Sequence, residues 1–266
     1  DGNIMRVRFS LPAQRLFLEG FFGTVWADAP TKESNMSIIL DIDRTYYAHR
    51  GALLSTLPMQ GVWGVKVGNH VLKHGLEATL SQLSGKINVF VDLKHGDVDS
   101  RMDSIYEIYE NMRGLAPMFV SVAGDIRPVS LDCRTRLRPM LVVVPLRSDM
   151  TEEDCRREYG CSRIERVERV CLKASLGKVH ATTCPASLLP SIGMRLRYSF
   201  LHGVIATGAR SRGVPGHEHI KPLTPEEALN HGATHVVIGR EVNESPNPIA
   251  TLKQLAGRCL AARKVA

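Results

Sequence analysis

The chain has 266 residues, of which 44% are hydrophobic and 23% charged, enough apolar material for one large globular domain with a full core. No stretch approaches the roughly 18 uncharged apolar residues of a membrane-spanning helix, so a soluble, cytoplasmic protein with no membrane partner is expected. The net charge of +7 suits either a nucleic-acid surface or a basic pocket for a small anion such as a phosphate ester, and the absence of a basic-aromatic ribbon argues against nucleic acid.

In chain order, residues 1–35 carry Arg6, Arg8 and Arg15 among apolar residues, as a transit segment would. They also hold Asp1, Glu19 and Asp28, which such segments avoid, and a folded N-terminal extension is expected. From residue 36 onward, short continuous apolar runs recur: Ser37–Ile42, Gly64–Val67, Val89–Leu93, Met118–Val122, Met140–Val144, Lys178–Ala181, Leu201–Ala206 and His235–Ile238. Runs of four to six residues rich in β-branched side chains are the pattern of strands buried on both faces of a parallel sheet. Helical spacing of apolar residues marks Tyr46–Leu57, Val71–Leu83 and Ser100–Met112. Thr151–Glu158 and Thr224–His231 open with capping threonines, and the second continues P-E-E and ends at Gly232. The arginines between Arg127 and Arg169 alternate with acids such as Glu152, Asp154, Glu165 and Glu168, which fits a solvated helix face better than a binding surface. The six cysteines form no C-x-x-C pair, so free thiols are expected rather than a zinc or redox site. Eight strands alternating with helices predict an α/β protein, a (β/α)8 TIM barrel over residues 36–266. A doubly wound open sheet shares the same periodicity and is the alternative.

In such barrels the reactive groups stand at the C-terminal strand ends. The first run ends in Asp41, with Asp43 just beyond. The second contains Lys66, and the third ends D-L-K-H-G-D with Asp92, Lys94 and Asp97. Asp92 and Lys94 lie two apart on one strand and so face one way, with Lys66 on the adjoining strand. Charges that close to an apolar wall need mutual pairing, which alternating Lys and Asp supply. A purely structural ion-pair network is the competing reading. The segments after strands seven and eight, A-T-G-A-R-S-R-G and G-R-E, combine Gly208 and Gly239 with Arg210, Arg212 and Arg240. Backbone N–H groups and guanidinium ions there suit a phosphate.

The ordered set resembles the orotidine 5′-phosphate decarboxylase family. It has the aspartate of I-I-L-D at Asp41, a V-K-x-G lysine at Lys66 and the D-x-K-x-x-D signature at Asp92, Lys94 and Asp97. A T-P-x-x-A helix at Thr224–Ala228 and V-I-G-R at Val237–Arg240 follow. The resemblance runs from about residue 36 to residue 256. It implies decarboxylation of orotidine 5′-monophosphate to uridine 5′-monophosphate in pyrimidine biosynthesis, with no metal and no cofactor. By resemblance, Asp41 holds a ribose hydroxyl, Lys66 bridges ribose and Asp92, Asp92 faces the departing carboxylate, and Lys94 protonates the pyrimidine carbon. Asp97 enters the site of the other subunit of a homodimer. Arg240 binds the phosphate with Arg210 nearby, Ser148 touches the pyrimidine, and Val98, Gly208 and Gly239 complete the substrate-binding set.

Three stretches depart from the family pattern: D-V-D-S-R places Arg101 where a threonine is usual, the phosphate loop reads A-T-G-A-R rather than T-P-G-I-R, and the loop glutamine has no counterpart among His217, Glu218 and His219. Two other readings are a magnesium-dependent sugar-phosphate lyase or decarboxylase of the same superfamily and a non-catalytic nucleotide-binding descendant. The magnesium enzymes place a glutamate ligand where this chain has Lys66, and a lysine there repels the metal.

Overall fold

The computed structural model describes residues 37–43, 47–57, 59–83, 86–96, 99–112, 118–124, 139–176, 179–200, 202–213 and 222–265. These belong to the unit Asn35–Ala266; the expected N-terminal extension, residues 1–35, lies outside them. Eight parallel strands close into a barrel in the order β1 to β8, with β1 paired to both β2 and β8. They are β1 (Ile38–Asp41), β2 (Val62–Val67), β3 (Asn88–His95), β4 (Phe119–Ala123), β5 (Met140–Val144), β6 (Ala181–Pro185), β7 (Gly203–Thr207) and β8 (His235–Ile238). Closure settles the choice between a barrel and an open sheet.

The helices are α1 (Tyr47–Ser55), α2 (Asn69–His74), α3 (Leu76–Leu83), α4 (Asp99–Asn111), α5 (Glu152–Tyr159), α6 (Arg163–Leu176), α7 (Leu189–Ser199), α8 (Pro225–Asn230), α9 (Arg240–Asn243) and α10 (Pro248–Val265). Both threonine signals build full capping boxes: Thr151 with Asp154 before α5, and Thr224 with Glu227 before α8. The run read as one helix over Val71–Leu83 is two, because Gly75 sits at φ 83 and ends α2. Helices α7, α9 and α10 were not foreseen, whereas α6 carries much of the interleaved charge read as a solvated helix face.

The sixth strand is a correction: it lies at Ala181–Pro185, not Lys178–Ala181. The run A-T-T-C looks too polar for a buried strand, yet Thr182 is fully buried. Its hydroxyl is satisfied by Thr183 O at 3.0 Å and by Cys171 Sγ at 3.2 Å, so a β-branched residue takes the place at little cost.

Strand periodicity divides the core in two. Outward residues such as Ile38, Leu40, Val89, Val91 and Val204 pack under the helices. Inside the barrel Ile39, Trp63, Phe90, Phe119, Val142, Ala181 and Ile205 form a separate cluster. There the Trp63 and Phe119 rings stack at 4.8 Å and Phe90 meets Phe119 edge-on at 6.1 Å. This plug is the floor on which the site rests. The five described cysteines are buried and free, and no described helix is long and apolar enough to cross a membrane.

Candidate active site

The alternation that buries Ile39 and Phe90 brings Asp41 and Asp92, two residues further along, to the C-terminal mouth of the barrel. Register sets Asp41 beside Lys66 across β1 and β2. The Lys66 ammonium lies 3.0 Å from Asp41, 3.2 Å from Asp92 and 3.6 Å from Asp43. Burial alone would lower the Lys66 pKa, but the three carboxylates outweigh it and hold the group firmly protonated. Burial likewise opposes ionisation of Asp92, while Lys66, Lys94 and hydrogen bonds from Lys94 and Ser121 reverse the effect and keep it a carboxylate.

Lys94 completes the array, its Nζ 3.1 Å from Asp92 Oδ1. The two lysines differ in access: the Lys66 side chain is 12% exposed and the Lys94 side chain 46%. One is locked among carboxylates, while the other opens to the cavity. Lys94 reaches Asp92 by a different route from simple strand alternation. Its φ is 51°, the sole positive φ of a non-glycine among the described residues, and the pairing of β3 with β4 shifts register between Val91 and His95. Its N–H donates to Ser121 Oγ at 2.7 Å.

These groups line a cavity of about 350 Å³. It also takes in Ser148 after β5, Gly208 and Arg210 after β7, and Gly239 and Arg240 after β8, so the expected charge array and the expected arginine end share one space. Arg212 does not line it; its exposed guanidinium pairs with Glu227 at 2.8 Å. Two backbone donors of the segment after β7 are already used, Arg210 N–H by Leu223 O at 2.9 Å and Ser211 N–H by Glu241 at 3.0 Å. Positive charge at that end therefore comes from the Arg210 and Arg240 side chains. Asp97 and Val98 lie outside the described residues.

Sequence reasoning gave no role to several neighbours. Asp43 accepts Gly68 N–H at 2.7 Å and His70 N–H at 3.2 Å, fixing the turn that follows β2. Asn243 on α9 donates to Asp41 O at 2.8 Å, tying β1 to the end of β8. Arg147 and Asp149 flank Ser148 on the rim, 3.6 Å apart. Ser121 was legible only as the one polar residue of F-V-S-V. Among the described residues no cluster of three or more His, Cys, Asp or Glu side chains is arranged to hold a metal ion.

No protein-family model matches the chain. Among curated proteins, it is 28% identical over 195 residues to an orotidine 5′-phosphate decarboxylase of Chromohalobacter salexigens, covering 71% of this chain and 81% of the relative. It is 24% identical over 203 residues to that of Hahella chejuensis, covering 73% and 85%. Among solved structures, orotidine 5′-phosphate decarboxylase from Lactobacillus acidophilus superposes with a TM-score of 0.64 at 19% identity, over 85% of this chain and 99% of that one. The Methanocaldococcus jannaschii orotidine 5′-monophosphate decarboxylase, solved with the inhibitor BMP, gives 0.63 at 19% with the same coverage. At those identities the structures speak for the fold, and the curated relatives together with the ordered strand-end charges speak for descent. On both grounds the chain is similar to the orotidine 5′-phosphate decarboxylases in sequence and in fold.

Proposed function

We propose that this chain decarboxylates orotidine 5′-monophosphate to uridine 5′-monophosphate and carbon dioxide, without a metal or cofactor. The observation that carries the reading is the asymmetric pair of lysines on Asp92, one locked and one opening to the cavity. When the ring-to-carboxylate bond breaks, its electron pair stays on the ring carbon. An ammonium already in place can stabilise that carbanion and deliver a proton to it. Lys94 is the ammonium a ligand can reach. Asp92, held ionised, repels a substrate carboxylate placed against it, and loss of carbon dioxide relieves the repulsion. Lys66 fills the space where Asp41, Asp43 and Asp92 converge, so their charge is met by an ammonium rather than a divalent ion.

The arginine end supports a phosphate ester at the opposite side of the cavity, where Arg210 and Arg240 supply charge-assisted contacts. Binding energy from that remote group can hold the reacting carboxylate against Asp92. A homodimer in which Asp97 enters the site of the neighbouring subunit is part of the proposal.

The test is an ultraviolet assay with orotidine 5′-monophosphate in the presence of EDTA. Loss of substrate absorbance with release of carbon dioxide is expected, and Lys94→Ala abolishes it while leaving the circular dichroism spectrum unchanged. A folded protein that binds uridine 5′-monophosphate tightly yet does not turn over would overturn the reading in favour of a nucleotide binder. Inactive Lys94→Ala and Asp97→Ala proteins regain partial activity when mixed if subunits exchange and share sites. Absence of recovery in an exchanging dimer refutes the sharing.

A further inference from the structure

Lys94 has a backbone its sequence position does not favour. Lysine has no local side-chain device to offset the left-handed region, and a residue there costs of order 1 kcal/mol or more unless its surroundings dictate the conformation. The structure provides one feature that does so. Ser121, at the middle of β4, is fully buried, and its hydroxyl oxygen accepts the Lys94 N–H at 2.7 Å. The same serine favours the ionised form of the neighbouring Asp92 carboxylate.

Resting on the decarboxylase reading above, we infer that Ser121 is a positioning residue: its hydroxyl holds Lys94 in its strained backbone conformation and so aims the Lys94 ammonium at the reacting carbon.

The geometry leaves little else for the task. Between Val91 and His95 the regular β3–β4 pairing is interrupted, so the Lys94 N–H has no carbonyl partner in the ladder. The serine hydroxyl oxygen replaces that carbonyl. Ser121 is the lone polar side chain in the F-V-S-V run of β4, in a wall otherwise apolar. On the far side of β3, His95 Nε2 lies 2.9 Å from Tyr109 Oη and anchors the next residue to α4, so the turn at Lys94 is held from both faces of the sheet. Removing the Ser121 hydroxyl leaves a part-buried N–H without its acceptor. It also frees Lys94 to relax towards ordinary strand angles, moving the ammonium off the reacting position.

The experiment compares Ser121→Ala, Ser121→Thr and Ser121→Val with the parent protein. Thr and Val match in bulk and differ in the hydroxyl, so their comparison cancels any repacking of β4. The inference expects kcat of Ser121→Ala to fall by ~10- to ~100-fold, the loss a displacement of about 1 Å can cause. It expects KM to change less than ~2-fold, because the arginine end is untouched. Ser121→Thr retains the larger part of kcat, and Ser121→Val falls with Ser121→Ala. Equal kcat values for the Thr and Val proteins, or a loss confined to KM, would overturn it. If the parent protein proves inactive on orotidine 5′-monophosphate, the reaction assignment fails, and a crystal structure of Ser121→Ala decides the positioning role alone. The role stands if Lys94 φ turns negative and its Nζ leaves the 3.1 Å contact with Asp92, and it falls if Lys94 does not move.

Discussion

Lys66 illustrates how a buried charge becomes a fixed part of a site. One ammonium meets three carboxylates within 3.6 Å, and its burial, which alone would expel the proton, instead strengthens each pairing. The arrangement depends on a residue with no side chain. A Cβ on Gly68 would stand 2.8 Å from Asp92 O and 2.9 Å from Asp43 Oδ2, closer than real Cβ atoms come. Gly68→Ala must therefore push Asp43 or the β3 backbone aside. We expect it to cost ~1–3 kcal/mol of stability and to reduce turnover more than ~10-fold. Urea denaturation and kcat report the two effects separately, and an alanine variant with the parent's kcat would show that Asp43 need not hold its position.

At the scale of elements, the strands were legible because parallel barrel strands are continuous apolar runs, and seven of the eight overlap their sequence readings closely. The sixth was displaced because Thr182 and Thr183 look polar in sequence, whereas in the barrel wall the Thr182 hydroxyl is satisfied locally. The charge array was legible as residue types at strand ends. The backbone twist at Lys94 and the link through Ser121 were not, since both depend on the register between β3 and β4, which no local pattern encodes. Helix α7 was missed for a related reason: its middle is Gly193, which lowers helix propensity. That glycine is there for contact. A Cβ on it would lie 2.0 Å from His231 O, where α7 crosses the turn leaving α8 backbone to backbone. Gly193→Ala should destabilise by ~1–3 kcal/mol, lowering the urea midpoint with an unchanged m-value. Gly257→Ala on α10, where nothing stands within 4 Å, should instead stabilise by ~0.4–1 kcal/mol, and the opposite signs in one protein separate close approach from propensity.

For the whole molecule, buried histidines make the mouth of the barrel opposite the site sensitive to acid. The C-terminal mouth carries the site. At the other end stand His180, His202 and His235, with Arg197 and Arg263 close by. Burial, helped by His202, depresses the His180 pKa to about 4, and burial with the nearby arginines depresses that of His235 to about 3. His180 Nδ1 also accepts the Leu141 N–H at 3.0 Å, a bond only the unprotonated nitrogen can make. Both rings are therefore neutral in the fold, while the unfolded chain takes up protons near pH 6.5. Their contribution to stability is fully present above that value and declines as the pH falls towards the folded pKa values. Each histidine adds a slope of at most about 1.4 kcal/mol per pH unit. Urea midpoints should be level from pH 8 to about 7 and fall steadily below about 6, and His180→Gln should make that fall shallower. A midpoint that held level down to about pH 4 would rule out neutral burial of these rings.

The hydrogen bond from Asn243 to the Asp41 carbonyl spans 202 positions of the chain. A ribosome making this protein releases Asp41, Lys66, Asp92 and Lys94 long before β8 and α9, and β1 waits for the partner that closes the sheet. Until then β1 has an open edge on the side β8 will cover, and the carboxylates around Lys66 lack part of their support. Assembly of the candidate site thus depends on contacts of high sequence separation, which are slow to form. The nascent chain is the stage at which this barrel is most exposed to mispairing and to rescue by chaperones.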